Sequence, residues 1–144
     1  MPANLPSVLV TQIKMYISTS DISLLSQSLS ILALLLELSP STTFPEVERD
    51  VLTDIYKVAH SPLVSGAALD SVLSFFHWLV LADGQIATHV VPNLVTFSQK
   101  APKSECSPSN VAKCIAQVVK SQQGVAAGTI AEFEKHVKVV LIYT

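Results

Sequence analysis

Between residues 21 and 38 the apolar side chains Leu25, Leu29, Leu32 and Ala33 stand at i, i+4, i+7 and i+8. That spacing puts them on one continuous face of a helix. The same offsets return at Ala68, Val72, Phe75 and Phe76, and again at Val111, Ile115, Val118 and Val119. Each set lies 43 residues beyond the last. A helical unit repeated at that interval falls within the roughly 40–47 residues of HEAT and armadillo arrays.

Punctuation between these faces predicts seven helical segments. The first covers residues 6–17, and the second starts at Asp21 and runs to Leu38. "SPSTTFP" reads as a turn, with Pro45 in the first turn of a third helix. There Val47, Val51, Ile55 and Val58 share a face, and Glu46, Glu48 and Asp50 occupy the first turns, where the dipole favours acids. A fourth helix spans 65–82 and ends at Asp83-Gly84, a turn whose glycine tolerates positive φ. The fifth begins near Thr88, with Pro92 about one turn in. Ser107 and Pro108 read as N-cap and first position of a sixth helix, which ends at "SQQG" after Lys120. A seventh covers about 125–137, and the tail "VVLIYT" is β-prone.

The expected fold is therefore all-α: a HEAT-type α-solenoid of about three helical hairpins plus an extra helix. The hairpins cover about 6–39, 44–83 and 88–120, with the orphan helix at 125–138 and a non-matching tail at 139–144. A unit of this kind cannot bury its apolar faces alone, so neighbouring hairpins cover them. That explains "SPLVSGAALDSVLSFFHWLV", residues 61–80, which is apolar on nearly all sides: an inner helix packs on its own partner and on the hairpins to either side.

Length separates this helix from a membrane span. The run from Val72 to Ala82 is about eleven mostly apolar residues, whereas a spanning helix needs roughly 20. The N-terminus "MPANLPSV" has no basic n-region, so the reading is a soluble intracellular chain. Hydrophobic residues make up 49% of the chain and charged residues 14%, which suits a large core and not disorder. A net charge of −2 without a basic cluster argues against nucleic acid as a partner. Cys106 and Cys114 have no CxxC or Cys/His ligand set beside them, so no zinc site is expected, and Cys114 reads as a small core residue.

Candidate chemistry changes little. The sequence has no GxSxG, P-loop, GxGxxG or HExxH motif. His60, His77, His89 and His136 are scattered. His77, beside Trp78, reads as a satisfied core or groove residue. Glu46, Glu48, Asp50 and Asp54 make an acidic face that is either a solvated outer surface or a contact for a basic partner. Lys100, Lys103, Lys113 and Lys120 are too dispersed for a nucleic-acid groove. No catalytic, cofactor-binding or metal-ligating residue is nominated, and the expectation is a non-enzyme without cofactor or small-molecule substrate.

Two stretches carry a resemblance. Ser61, Pro62, Leu63, Gly66, Ala68, Leu69, Phe75, Phe76, Leu79 and Val80, followed by Val111, Ala112, Lys113, Cys114, Ile115 and Ala116, resemble the cullin-associated, neddylation-dissociated protein family, also called TATA-binding-protein-interacting proteins. The likeness covers about residues 5–138 and is looser before Leu52, where it rests on helix spacing and Ser26-Gln27. It implies a long HEAT solenoid without catalytic residues that wraps a cullin–RING scaffold lacking its ubiquitin-like modifier and promotes exchange of substrate adaptors. The chain would be an internal slice of such a solenoid, a truncated product or gene fragment, acting in cytoplasm and nucleus. No motif carries a contact residue across. The alternative is a segment of a transport adaptor or other scaffold. The Trp/Asn or acidic ladders expected on a nuclear-import adaptor's inner helices are absent.

Overall fold

The computed structural model describes residues 5–124. Among the described residues seven α-helices form: α1 (Leu5–Ile13), α2 (Ile22–Leu38), α3 (Pro40–Asp50), α4 (Leu52–Ala59), α5 (Ala67–Ala82), α6 (Ala87–Lys100) and α7 (108–124). Short 3-10 turns occupy Lys14–Tyr16, Gly84–Ile86 and Lys103–Glu105. No strand occurs among the described residues. The predicted seventh helix and the tail at 139–144 lie outside them.

The helices pack in two rows. α2 lies along α5, and α5 is tied to α7 by a hydrogen bond from one helix to the other. On the other side α1 packs on α3, and α4 on α6. The result is an all-helical, solenoid-like stack with α2, α5 and α7 in one row and α1, α3–α4 and α6 in the other. One continuous core joins the rows. Its largest fully buried members include Leu25, Leu29, Leu32, Phe75, Phe76, Ile55 and Leu94. The two phenyl rings meet edge to face with centroids 5.5 Å apart, the arrangement their quadrupoles favour.

The N-cap read at Ser107 forms, and Asp21, read as the start of the second helix, caps it. The Asp21 carboxylate accepts from the Leu24 N–H at 3.1 Å, and Ser107 Oγ accepts from the Asn110 N–H at 3.2 Å. The face Val47, Val51, Ile55, Val58 is buried throughout.

Other expectations are corrected. "SPSTTFP" is helical: Pro40 takes an N-terminal position of α3, and only Ser39 separates it from α2. Thr43 closes this corner, its hydroxyl donating to the Leu35 carbonyl near the end of α2. Glu46, Glu48 and Asp50 consequently stand in the C-terminal half of α3, not its first turns, and gain nothing from the dipole there. Pro45 lies inside the helix, as does Pro92 in α6. The predicted third helix is bent at Val51, where φ is −121°, although Val51 and Ile55 continue the hydrogen-bond ladder. The bend divides labour, since α3 packs on α1 and α4 on α6.

The left-handed glycine is Gly66, with φ +56° ahead of α5, and not Gly84. The described part of α7 runs through "SQQG" to 124. On α7 the buried side chains are Val111, Cys114, Val118 and Ser121, with Asn110 at the start. Val119 is exposed and Ile115 half-buried, so the register predicted for this helix is turned partly towards solvent. A helix packed along one flank needs only the narrower i, i+3, i+7, i+10 stripe.

Candidate functional site

The turns after α1, between α4 and α5 and before α7 gather at one edge of the stack. Residues 17–19 follow α1, residues 60–63 link α4 to α5, and Ser104 and Glu105 precede α7. Together with Asp54, Lys57 and Val58 of α4 they line an open groove of about 650 Å³. Its walls mix apolar Ile17, Val58, Pro62 and Leu63 with Asp54, Lys57, His60, Ser61 and Glu105. Leu63 is 62% exposed on the rim.

Backbone bonds hold this edge. Ser107 donates its N–H to the His60 carbonyl at 2.6 Å. The Asn110 side-chain amide donates to the carbonyls of Ser61 and Val64, each at 2.8 Å. The loop before α5 is thus pinned to the first turn of α7. Sequence reading missed Asn110, because an asparagine one turn into a helix looks like an ordinary turn residue.

The groove collects Asp54, His60, Ser61 and Ser104, a grouping no spacing rule reveals. It is not a nucleophile–base array. His60 Nδ1 is buried without a hydrogen-bond partner, and Ser61 Oγ is occupied by the Leu63 N–H at 3.2 Å. Asp54 pairs with Lys14 at 3.4 Å.

The acidic face is partly neutralised from within. Arg49 bonds both Glu46 and Asp50, and Lys14 also donates to the Asp50 carbonyl. The guanidinium hydrogen bond holds the Asp50 carboxyl below the usual aspartate range, and it raises Arg49 in turn. Glu48 makes no ion pair among the described residues.

His77 is half-buried and hydrogen-bonded: its Nδ1 lies 2.8 Å from Ser121 Oγ, and Gln117 Nε2 donates to the same hydroxyl at 2.8 Å. Trp78 packs partly buried against the core, edge to face with the His77 ring. Cys114 is fully buried, and burial pushes its thiol up to about 12. Both cysteines are free. His89 lies on α6, facing a second, smaller pocket; His136 lies outside the described residues.

No family model, curated protein or solved structure matches this chain.

The remaining surface feature is apolar. Leu24, Ile31, Leu34 and Leu38 form one exposed stripe along α2, and Leu34 and Leu38 are 50% and 64% exposed. Leu81 takes the place on α5 that Leu38 takes on α2, and it too is exposed. Among the described residues no group of three or more His, Cys, Asp or Glu is placed to hold a metal, and no described helix is long and apolar enough to cross a membrane. The surface offers shape, an apolar ridge and a loop-edge groove.

Proposed function

We propose that this chain is a non-catalytic protein-interaction segment of a HEAT array with a repeat of about 43 residues, belonging to a regulator of cullin–RING ubiquitin ligases. It engages the scaffold without its ubiquitin-like modifier and so takes part in adaptor exchange, in cytoplasm and nucleus. The observation that carries the interaction reading is the exposed stripe Leu24, Ile31, Leu34, Leu38 on a helix whose opposite face is fully packed. An apolar ridge on a rigid row of helices is a surface for protein contact. The cullin assignment itself rests on the sequence resemblance. The residues that carry it in α5, Ala68, Leu69, Phe75, Phe76, Leu79 and Val80, are all buried. They therefore bear on the fold and name no contact.

The test is capture of a purified cullin–RING scaffold by the chain, with modified and unmodified scaffold in parallel. Preferential capture of the unmodified form, weakened by Leu34→Ser/Leu38→Ser, supports the reading. Capture of neither form by a chain that circular dichroism shows to be helical overturns it.

A further inference from the structure

The inner row is assembled by one kind of contact made twice. Ser26 and Ser30 of α2 meet Ser71 of α5 at 2.9 and 3.3 Å, and His77 of α5 meets Ser121 of α7 at 2.8 Å. Each helix so covers one flank of the helix before it. Leu69, Val72 and Phe76 of α5 are buried. Their counterparts 43 residues on, Ala112, Ile115 and Val119 of α7, are not: Ile115 is half-buried, Ala112 and Val119 are exposed, and Ala116 beside them is exposed too. α7 is the last helix of the row among the described residues, and this flank is its open one. α2 is the first, and it carries the exposed stripe Leu24, Ile31, Leu34 and Leu38.

We infer that the two faces meet between molecules: α2 of one copy packs on α7 of a second, and the chains associate head to tail. Both faces have the spacing of helices that pack along one another. Leu24, Ile31 and Leu38 are seven apart with Leu34 three beyond Ile31, and Ala112, Ile115, Ala116 and Val119 fill i, i+3, i+4 and i+7. Their sizes complement each other, because leucine and isoleucine ridges need a groove and the two alanines leave one. Their charges do as well. α7 carries exposed Lys113 and Lys120 and no acid over 108–124, while α2 with its cap carries exposed Asp21 and Glu37 and no base. No ion pair among the described residues takes up any of these four. Joining α7 to α7 would set lysines against lysines, and α2 to α2 carboxylates against carboxylates, so charge selects the unlike pairing. Such a contact is heterologous and leaves one free face at each end of a dimer, so growth continues with concentration. The inference rests on the reading of the α2 stripe as a protein-contact surface and names a second copy as what it receives.

The experiment is sedimentation velocity of the purified full chain over a range of concentrations, beside two variants. Val119→Glu spoils only the α7 face and Ile31→Glu only the α2 stripe. Both positions are exposed, at 40% and 41%, so circular dichroism and melting temperature should match the parent. The expected result is association of the parent that rises with concentration, and a monomer for either variant alone where the parent associates. An equimolar mixture of the two variants gives a one-to-one dimer that grows no further, because one intact face of each kind remains. A parent that is monomeric throughout overturns the inference. So does a mixture that stays monomeric, or a single variant that associates as the parent does, which would place the contact elsewhere, the tail at 139–144 included. No scaffold protein enters the measurement, so loss of self-association and loss of scaffold capture are separate results.

Discussion

The Asn110 side-chain amide donates to the Val64 carbonyl at 2.8 Å, across 46 residues of chain. The same nitrogen reaches Ser61 at 2.8 Å, so one side chain ties the α4–α5 loop to α7. Asn110 is 6% exposed, and water cannot readily replace it. Asn110→Ala is expected to destabilise the chain by about 2–3 kcal/mol, because two loop carbonyls lose their donor. Urea unfolding measures this. A loss under about 0.5 kcal/mol, the usual range of a surface change, would show that the loop is held by other means.

Phe75 and Phe76 meet at the centre of the core, and both are fully buried. Phe76→Ala leaves a cavity and should cost about 3–5 kcal/mol. Leu63→Ser, on the rim of the loop-edge groove, should stay within about 0.5 kcal/mol. Thermal melts of the two variants side by side distinguish core from rim.

Gly66 adopts φ +56° with nothing within 4 Å of where a Cβ would stand. The cost of Gly66→Ala is therefore purely one of backbone strain, about 1–3 kcal/mol. Gly124 has equally open space and is helical, so Gly124→Ala should stabilise by about 0.5–1 kcal/mol. Opposite signs in paired denaturation curves are the expected outcome; two losses would contradict it.

The thiol of Cys114, held up to about 12 by burial, should resist alkylation in the native chain, while the less buried Cys106 reacts. Mass spectrometry should count one modified cysteine natively and two in denaturant. The same shift ties stability to pH. The unfolded thiol ionises from about 9 upward and the folded one does not, so the folded state holds the extra proton. Stability is then lost as pH rises from about 9 to about 12, by up to about 1.4 kcal/mol per unit. Cys114→Ala should remove that part of the slope, and an unchanged slope would place the effect elsewhere.

Local signals are legible where a side chain acts on its own neighbourhood. Asp21 and Ser107 cap because a short oxygen-bearing side chain reaches an N–H three residues on. Leu25, Leu29 and Leu32 are buried because their spacing makes a face. The reading of Pro45 as a helix start failed because proline is ambiguous without its surroundings. Here Ser39, Pro40 and Thr43 had already opened α3. The exposure of Val119 was equally illegible, since it depends on which flank of α7 meets α5.

Composition, helical period and capping residues determined that this chain is helical, where most helices begin, and which residues of α2 and α5 form the core. These are short-range effects, settled within a turn or two of backbone. Only the tertiary structure decided the bend at Val51 and the pinning of the α4–α5 loop by Asn110. The physical reason is the same in each case. The partners lie on different helices, and their meeting depends on how whole rows of side chains interlock.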